Sequence, residues 1–429
     1  MSTAEQDRPA TYREVFSHPE FRVVYGAVTL SNLADPVAKA VITLVVFERT
    51  GSVALSALAF AVSFLPWLIG GPLLSQLADR YPYRTVIGVT LAFRASLFLV
   101  AALFHWPGAV LAAVLFLSTL AAAPEQAARS ALLPRILPKD RLVVGLSLLG
   151  GLNQVTQIVG YVAGAGLAAI NVQLVLLMTA AFYTGASAIV LIGLRGWSGA
   201  GAAQRRGPHG MGQGFALVFG RVELRSIAIL VFCAMFFVAM PEGLAAAWAD
   251  DLAAGDERGL IQGVIMAAPP IGFITGSLIV GRLIRPSRRR ALIRPFAIAA
   301  PLTLVPAVLE PSVPVILLMV AACGFAVGGV LPVAQGLFSV VVPDGYRARA
   351  YGVMQTGVTL MQGAGVGLTG LLAERFPLPG VITSWSLTGA LVMVVVSLGW
   401  PHPGRFEAAI AAASEKTPDP APQHQPGHV

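Results

Sequence analysis

Charge is scarce in this chain. Asp, Glu, Lys and Arg make up 12% of its 429 residues, while 56% are hydrophobic; a soluble domain usually carries about 25% charged residues. A water-exposed fold with so few charges would present wide apolar patches and aggregate. Cysteine is nearly missing as well. The two present, Cys233 and Cys323, lie in apolar runs. They fit no metal spacing and build no disulfide framework, so both read as small buried hydrophobes. The signatures of catalysis are absent too. No phosphate-binding loop occurs, which argues against ATP as an energy source, and there is no G-x-S-x-G, H-E-x-x-H or paired Cys motif. The six histidines fall in loops, tails or the ends of apolar runs. No enzyme is expected, and no cofactor or metal.

What the chain has instead is length of apolar sequence. Its mean hydropathy is +0.75. A bilayer core needs about 20 apolar residues per helix. Candidate spans lie near 22–47, 53–77, 85–104, 108–128, 143–169 and 172–194. Six more lie near 226–248, 259–283, 291–309, 313–341, 350–373 and 380–400. The expected fold is an all-α integral membrane protein: twelve transmembrane helices in two pseudo-symmetric six-helix bundles. Residues 1–195 and 222–400 form the two halves, and 196–221 form a flexible basic linker. Residues 401–429, rich in Pro and Ala, read as a disordered tail. Residues 11–20 are expected to form a short interfacial helix, and the polar first twenty residues predict that the first span stays as an anchor.

The basic residues orient this bundle. With the N-terminus placed in the cytoplasm, 24 of the 29 Lys and Arg fall on the cytoplasmic side and 3 (Arg49, Arg258 and Arg375) on the other; Lys39 and Arg94 lie within spans. That asymmetry predicts a cytoplasmic (cell) membrane protein with both termini inside. It also accounts for the net charge of +8 without nucleic acid. A fixed offset of 205 residues supports two related halves. It pairs Gly71 with Gly276, Arg84 with Arg289, Pro138 with Pro343, Gln157 with Gln362 and Gly160 with Gly365. Duplicated halves with the substrate held between them are a common plan for secondary transporters.

The most specific motif is GPLLSQLADRYPYRT, residues 71–85. It resembles the loop signature called motif A of the major facilitator superfamily, with Gly71, Asp79, Arg80 and Arg84 matching. Ser75 and Pro82 stand where the family usually has Gly. The resemblance implies that Asp79 meets the positive end of a helix near residue 350 and holds a cytoplasmic gate closed. YREVFSHPEFRVVYG, SNLADPV and ARSALLPRILPKDRL resemble the branch containing proton-driven macrolide and other drug exporters and a siderophore exporter. In GYVAGAG, residues 160–166, Tyr161 replaces the Pro usual in antiporters of this family. The basic signature common in the fourth helix of drug antiporters is not evident.

Ionisable groups inside spans cost about 2.5–3.5 kcal/mol each at the helix centre and mark function by default. Asp35 and Lys39 are four residues apart and are expected to pair on one helical face, with Asp35 as a proton carrier. Arg94 is expected to bind an anionic substrate or neutralise a carboxylate across the bundle. Glu242 is the proton-handling candidate of the second half, or a water-facing Glu. Glu125 is expected to pair with Arg129 in a structural role. Asn153, Gln154 and Gln157 in the fifth span, with Gln355 and Gln362 in the eleventh, are cavity or helix-joining candidates. Pro269-Pro270 is expected to break the eighth span locally, with a kink as the simplest form of that break.

Together these readings predict a monomeric, proton-coupled exporter of an amphipathic small molecule, working by alternating access in a lipid bilayer. Coupled uptake of a small polar or anionic solute is the alternative, and a non-transporting scaffold or sensor is the second.

Overall fold

A computed structural model describes residues 11–67, 77, 80–137, 139–196, 209–253, 257–343, 346–402 and 404–407. Among these residues the regular structure is helical throughout. After a short helix α1 (Tyr12–Ser17), the first half contains α2 (Pro19–Thr50), α3 (Val53–Val62), α4 (Tyr83–Leu103), α5 (Gly108–Ile136), α6 (Lys139–Ala168) and α7 (Val172–Gly193). The second contains α8 (His209–Gly220), α9 (Val222–Val238), α10 (Met240–Leu252), α11 (Glu257–Leu283) and α12 (Pro286–Leu302). It ends with α13 (Val313–Val341), α14 (Arg347–Ala373) and α15 (Leu378–Leu398). Among the described residues, nine helical stretches, counting α9 and α10 as one, are long and apolar enough to cross a bilayer. Helices α6 and α14 have comparable lengths of 30 and 27 residues. The second predicted span is described only through its first part, Val53–Trp67.

Local sequence explains the breaks. Gly51 adopts a left-handed φ of 62° after α2, and its N–H returns to Phe47 O at 2.8 Å. Ser52 then caps α3 by accepting from Leu55 N at 3.1 Å. The predicted seventh span divides at Ala239, because Pro241 has no N–H for the Phe237 carbonyl. Pro269-Pro270, by contrast, does not break α11, which runs unbroken from Glu257 to Leu283. The correction has a packing cause. Helix α13 lies so close that a Cβ on Gly324 would sit 2.1 Å from Pro269 O, and one on Gly272 1.9 Å from Ala321 O. A neighbouring helix at that range holds the helical path where hydrogen bonds are missing.

The apolar core is divided in three. One cluster lies wholly within the first half, around Phe21, Leu91, Phe98, Leu132 and Tyr183. A second lies wholly within the other half, around Leu224, Val231, Ile293 and Phe338. The third joins them: Ala40, Phe60, Tyr161 and Ala165 pack with Leu244, Met266 and Val366. The halves meet along two seams, α6 with α11 and α3 with α14. Seam contacts are close. A Cβ on Gly259 would lie 2.4 Å from Ala165 O, and one on Gly370 2.2 Å from the Ala57 side chain. Both seams lie toward the end where α2 joins α3, α10 leads to α11 and α14 leads to α15. At the other ends of α6 and α14, a Cβ on Gly150, Gly151 or Gly352 would meet open space.

The 205-residue offset has a structural counterpart. Gly160 lies against Leu33 and Pro36 of α2, and Gly365 against Phe236 of α9. Each therefore packs on the first long helix of its own half. Arg289 donates to Gly281 O at 2.6 Å and to Ile284 O at 2.7 Å, satisfying carbonyls at the end of α11. Gly71 and Pro138 lie outside the described residues. So do residues 197–208 of the predicted linker, whose remainder is largely the helix α8, and residues 408–429 of the predicted tail; before them, Phe406 is buried against Trp400.

Candidate functional site

The site is built around one guanidinium. Arg94, midway along α4, is 1% exposed. Its Nη2 engages Asp35 Oδ1 of α2 and also contacts Tyr183 Oη of α7 at 2.6 Å. Nη1 donates to Glu125 Oε2 of α5 at 3.1 Å, and Nε to Ser118 Oγ of α5 at 3.0 Å. The Tyr183 hydroxyl donates to Asp35 Oδ1 at 2.8 Å, and the Tyr183 ring lies 4.2 Å from the guanidinium carbon. Four helices are thus tied to a single planar fork, a geometry Arg provides and Lys does not. Phe98 stacks on Tyr183 at 5.6 Å and closes its far side.

Burial differs sharply within this group. Glu125 is 7% exposed and leans also toward Arg129 at 3.8 Å. The Asp35 side chain keeps 41% of its surface open. One acid is sealed in and the other is partly open.

The expected Asp35–Lys39 pair is replaced. Asp35 is taken by Arg94, a residue fixed on a neighbouring helix, whose fork adds a second hydrogen-bond donor through Tyr183. Lys39 forms no ion pair within 4 Å among the described residues. Its ammonium lies 5.6 Å from the Phe60 ring centre and 5.1 Å from that of Phe64, so aromatic faces supply its near contacts. Across the seam, Tyr161 Oη donates to Glu242 Oε2 at 3.4 Å. Glu242 is half-buried, and its carboxylate reaches the first half.

The remaining candidates disperse. Asn153 accepts from Asn32 at 3.5 Å within the first half. Gln157 and Gln362 are half-buried and Gln355 is exposed, with no side-chain hydrogen bond among the described residues. Of the motif, Gly71 and Asp79 lie outside the described residues, Arg80 is exposed and Arg84 half-buried. Sequence reasoning missed three contributors and one partner. Tyr183 and Ser118 are single hydroxyls in apolar runs, with no local signal. Gln262, fully buried, donates to Ala40 O at 3.2 Å and Thr43 Oγ1 at 3.1 Å across the seam. Glu125 was visible, but its closer partner, Arg94, is 31 residues away.

The family model of the Major Facilitator Superfamily matches residues 25–305 and 227–422. The chain belongs to that superfamily. It is a multi-pass membrane transporter of this family and not an enzyme. It is 25% identical over 155 residues to macrolide efflux protein A of Streptococcus pyogenes; the match covers 35% of this chain and 37% of that protein's length. Its fold is similar to that of a bacterial homologue of the human lysosomal transporter Spinster in an inward-facing, occupied conformation. There the TM-score is 0.67 at 15% identity, over 92% of this chain and 97% of the other. It is also similar to the nucleoside transporter NupG, with a TM-score of 0.66 at 15% identity over 90% and 99%. A POT family transporter in complex with 5-aminolevulinic acid gives 0.66 at 9% identity over 87% and 95%.

Proposed function

We propose that this transporter is a proton-coupled exporter of an amphipathic small molecule, a drug, siderophore or secondary metabolite, working by alternating access. The observation that carries the reading is the half-open carboxylate of Asp35 held against a buried, immobile Arg94. An acid between the halves that exchanges a proton for its partner is the chemistry coupling requires. Proton uptake on Asp35 weakens its hold on Arg94 and Tyr183, and proton loss restores it. The proton gradient is the energy source, and a single chain carries the machinery. The partial likeness to a macrolide efflux protein supports export of an amphipathic solute.

Arg94 as the ligand of an imported anion is the weaker reading. All three guanidinium nitrogens are already engaged by Asp35, Tyr183, Glu125 and Ser118. The excess of basic residues on the opposite side orients the sealed end outward, toward the exterior of the cytoplasmic membrane, with both termini inside. The conformation is then the inward-open stage of the cycle.

The test is flux in proteoliposomes under an imposed pH gradient. Wild-type protein is expected to move an amphipathic dye or macrolide against the proton flow, and Asp35→Asn is expected to abolish gradient-driven movement. Full gradient-driven flux in Asp35→Asn rules out Asp35 as the carrier, and inward net movement rules out export.

A further inference from the structure

The start of α3 is closed by a residue from the other half of the molecule. Glu374, just past the end of α14, accepts from Ser52 Oγ and from Ala54 N, both at 2.9 Å. A helix start leaves backbone N–H groups without partners and carries partial positive charge. Ser52 serves one of them, Leu55 N. Glu374 serves another and brings a full negative charge to the helix end. These contacts hold its carboxyl below the usual carboxylate range, the Ala54 amide acting most and the Ser52 hydroxyl next.

This is a charged link across the α3–α14 seam. The other cross-seam hydrogen bonds described, Tyr161 to Glu242 at 3.4 Å and Gln262 to Ala40 O at 3.2 Å and Thr43 Oγ1 at 3.1 Å, are longer. At the α6–α11 seam, Arg258 beside the start of α11 pairs at 2.7 Å with Asp250 of its own half. That seam rests on glycine packing, whereas the α3–α14 seam adds a carboxylate cap. Gly370 and Ala57 touch one turn below the cap, so these helices cannot part while it holds.

We propose that Glu374 is the latch of the sealed end: carried on the second half, it caps α3 of the first, and that end opens only when the cap lets go. The claim concerns opening rather than cargo, so it stands or falls separately from the export reading. Glu374 is exposed, and replacing it leaves no void in the core.

The experiment is a spin-label distance measurement on full-length protein in lipid nanodiscs. Labels go on Ile170→Cys and Leu309→Cys, both exposed at the sealed end, one in each half. Cys233 and Cys323 are replaced beforehand. Glu374→Ala is expected to raise the long-distance population on the order of tenfold over the unsubstituted background, the scale of a lost charged hydrogen bond. Glu374→Gln, which keeps an acceptor oxygen without the charge, and Ser52→Ala, which keeps the Ala54 contact, should each give a smaller rise. An unchanged distribution in Glu374→Ala overturns the latch. So does an equal rise in the neighbouring control Arg375→Ala, which would make the effect one of general surface charge. Melting temperatures measured alongside separate opening from loss of fold.

Discussion

Tyr183 and Arg94 meet on one oxygen: the tyrosine hydroxyl donates to Asp35 Oδ1 at 2.8 Å, and the guanidinium holds the same atom. Asp35 is thereby fixed from two helices, α4 and α7, while 41% of its side-chain surface stays open.

Arg94 is expected to be indispensable for folding. Removing one member of a buried ion pair leaves an uncompensated charge and costs about 3–5 kcal/mol. Arg94→Ala is expected to accumulate poorly and to melt well below wild type in detergent. Arg94→Lys should recover little, because a single ammonium cannot reach Asp35, Glu125 and Ser118 together. A normal melting curve for Arg94→Ala would contradict the hub.

Tyr183→Phe isolates the second hold on Asp35. It keeps the ring that stacks on Phe98 and removes only the hydroxyl. A hydrogen bond to a charged group is worth about 1.5–3 kcal/mol, so a drop in melting temperature of several degrees is expected. The proton dependence of flux should also change. An unaltered pH profile of flux would remove Tyr183 from the coupling site.

The arrangement of spans was legible because membrane helices must satisfy their backbone internally and shield it with apolar side chains, and both demands mark the sequence directly. The pairing of charges was not. Asp35 and Lys39 are neighbours on one helix, and a local rule joins them. The partner that won, Arg94, is 59 residues away. Which residue fills that distance depends on how α2, α4, α5 and α7 pack, and periodicity carries no such information. Glu374 escaped notice for the same reason, since its partners lie 320 and 322 residues earlier. The proline pair in α11 misled because the rule for an isolated helix omits the support of α13.

Two glycine substitutions contrast a closed contact with an open one. A Cβ at Gly276 would sit 2.1 Å from Phe325 O, a backbone atom that cannot rotate away, whereas one at Gly352 meets nothing within 4 Å. Gly276→Ala is expected to destabilise by roughly 1–3 kcal/mol, as overpacking does. Gly352→Ala should be neutral or slightly stabilising through its helix preference. Thermal melting of both in one detergent decides it, and equal melting points would contradict the close approach.

The cap on α3 should respond to acid in one direction. Glu374 faces Ser52 and the amides of Val53 and Ala54, none of which titrates. Its carboxyl is held below the free value of about 4.3. The contribution is therefore complete above that value and is lost as pH falls through the depressed one. The spin-label distances at the sealed end should be constant from neutral pH down to the ordinary carboxylate range and lengthen only below it. Lengthening already at pH 6 would assign the response to another group.

Helices α11 and α13 touch backbone to backbone at Gly272, Gly276, Gly324 and Gly328. Contacts of that kind have no side chain to yield, so the pair behaves as one stiff lever. Its arm is the 27-residue α11, about 40 Å long at 1.5 Å per residue. A tilt begun at Gly259, where the lever bears on α6, is carried along that arm toward Leu283 at its other end.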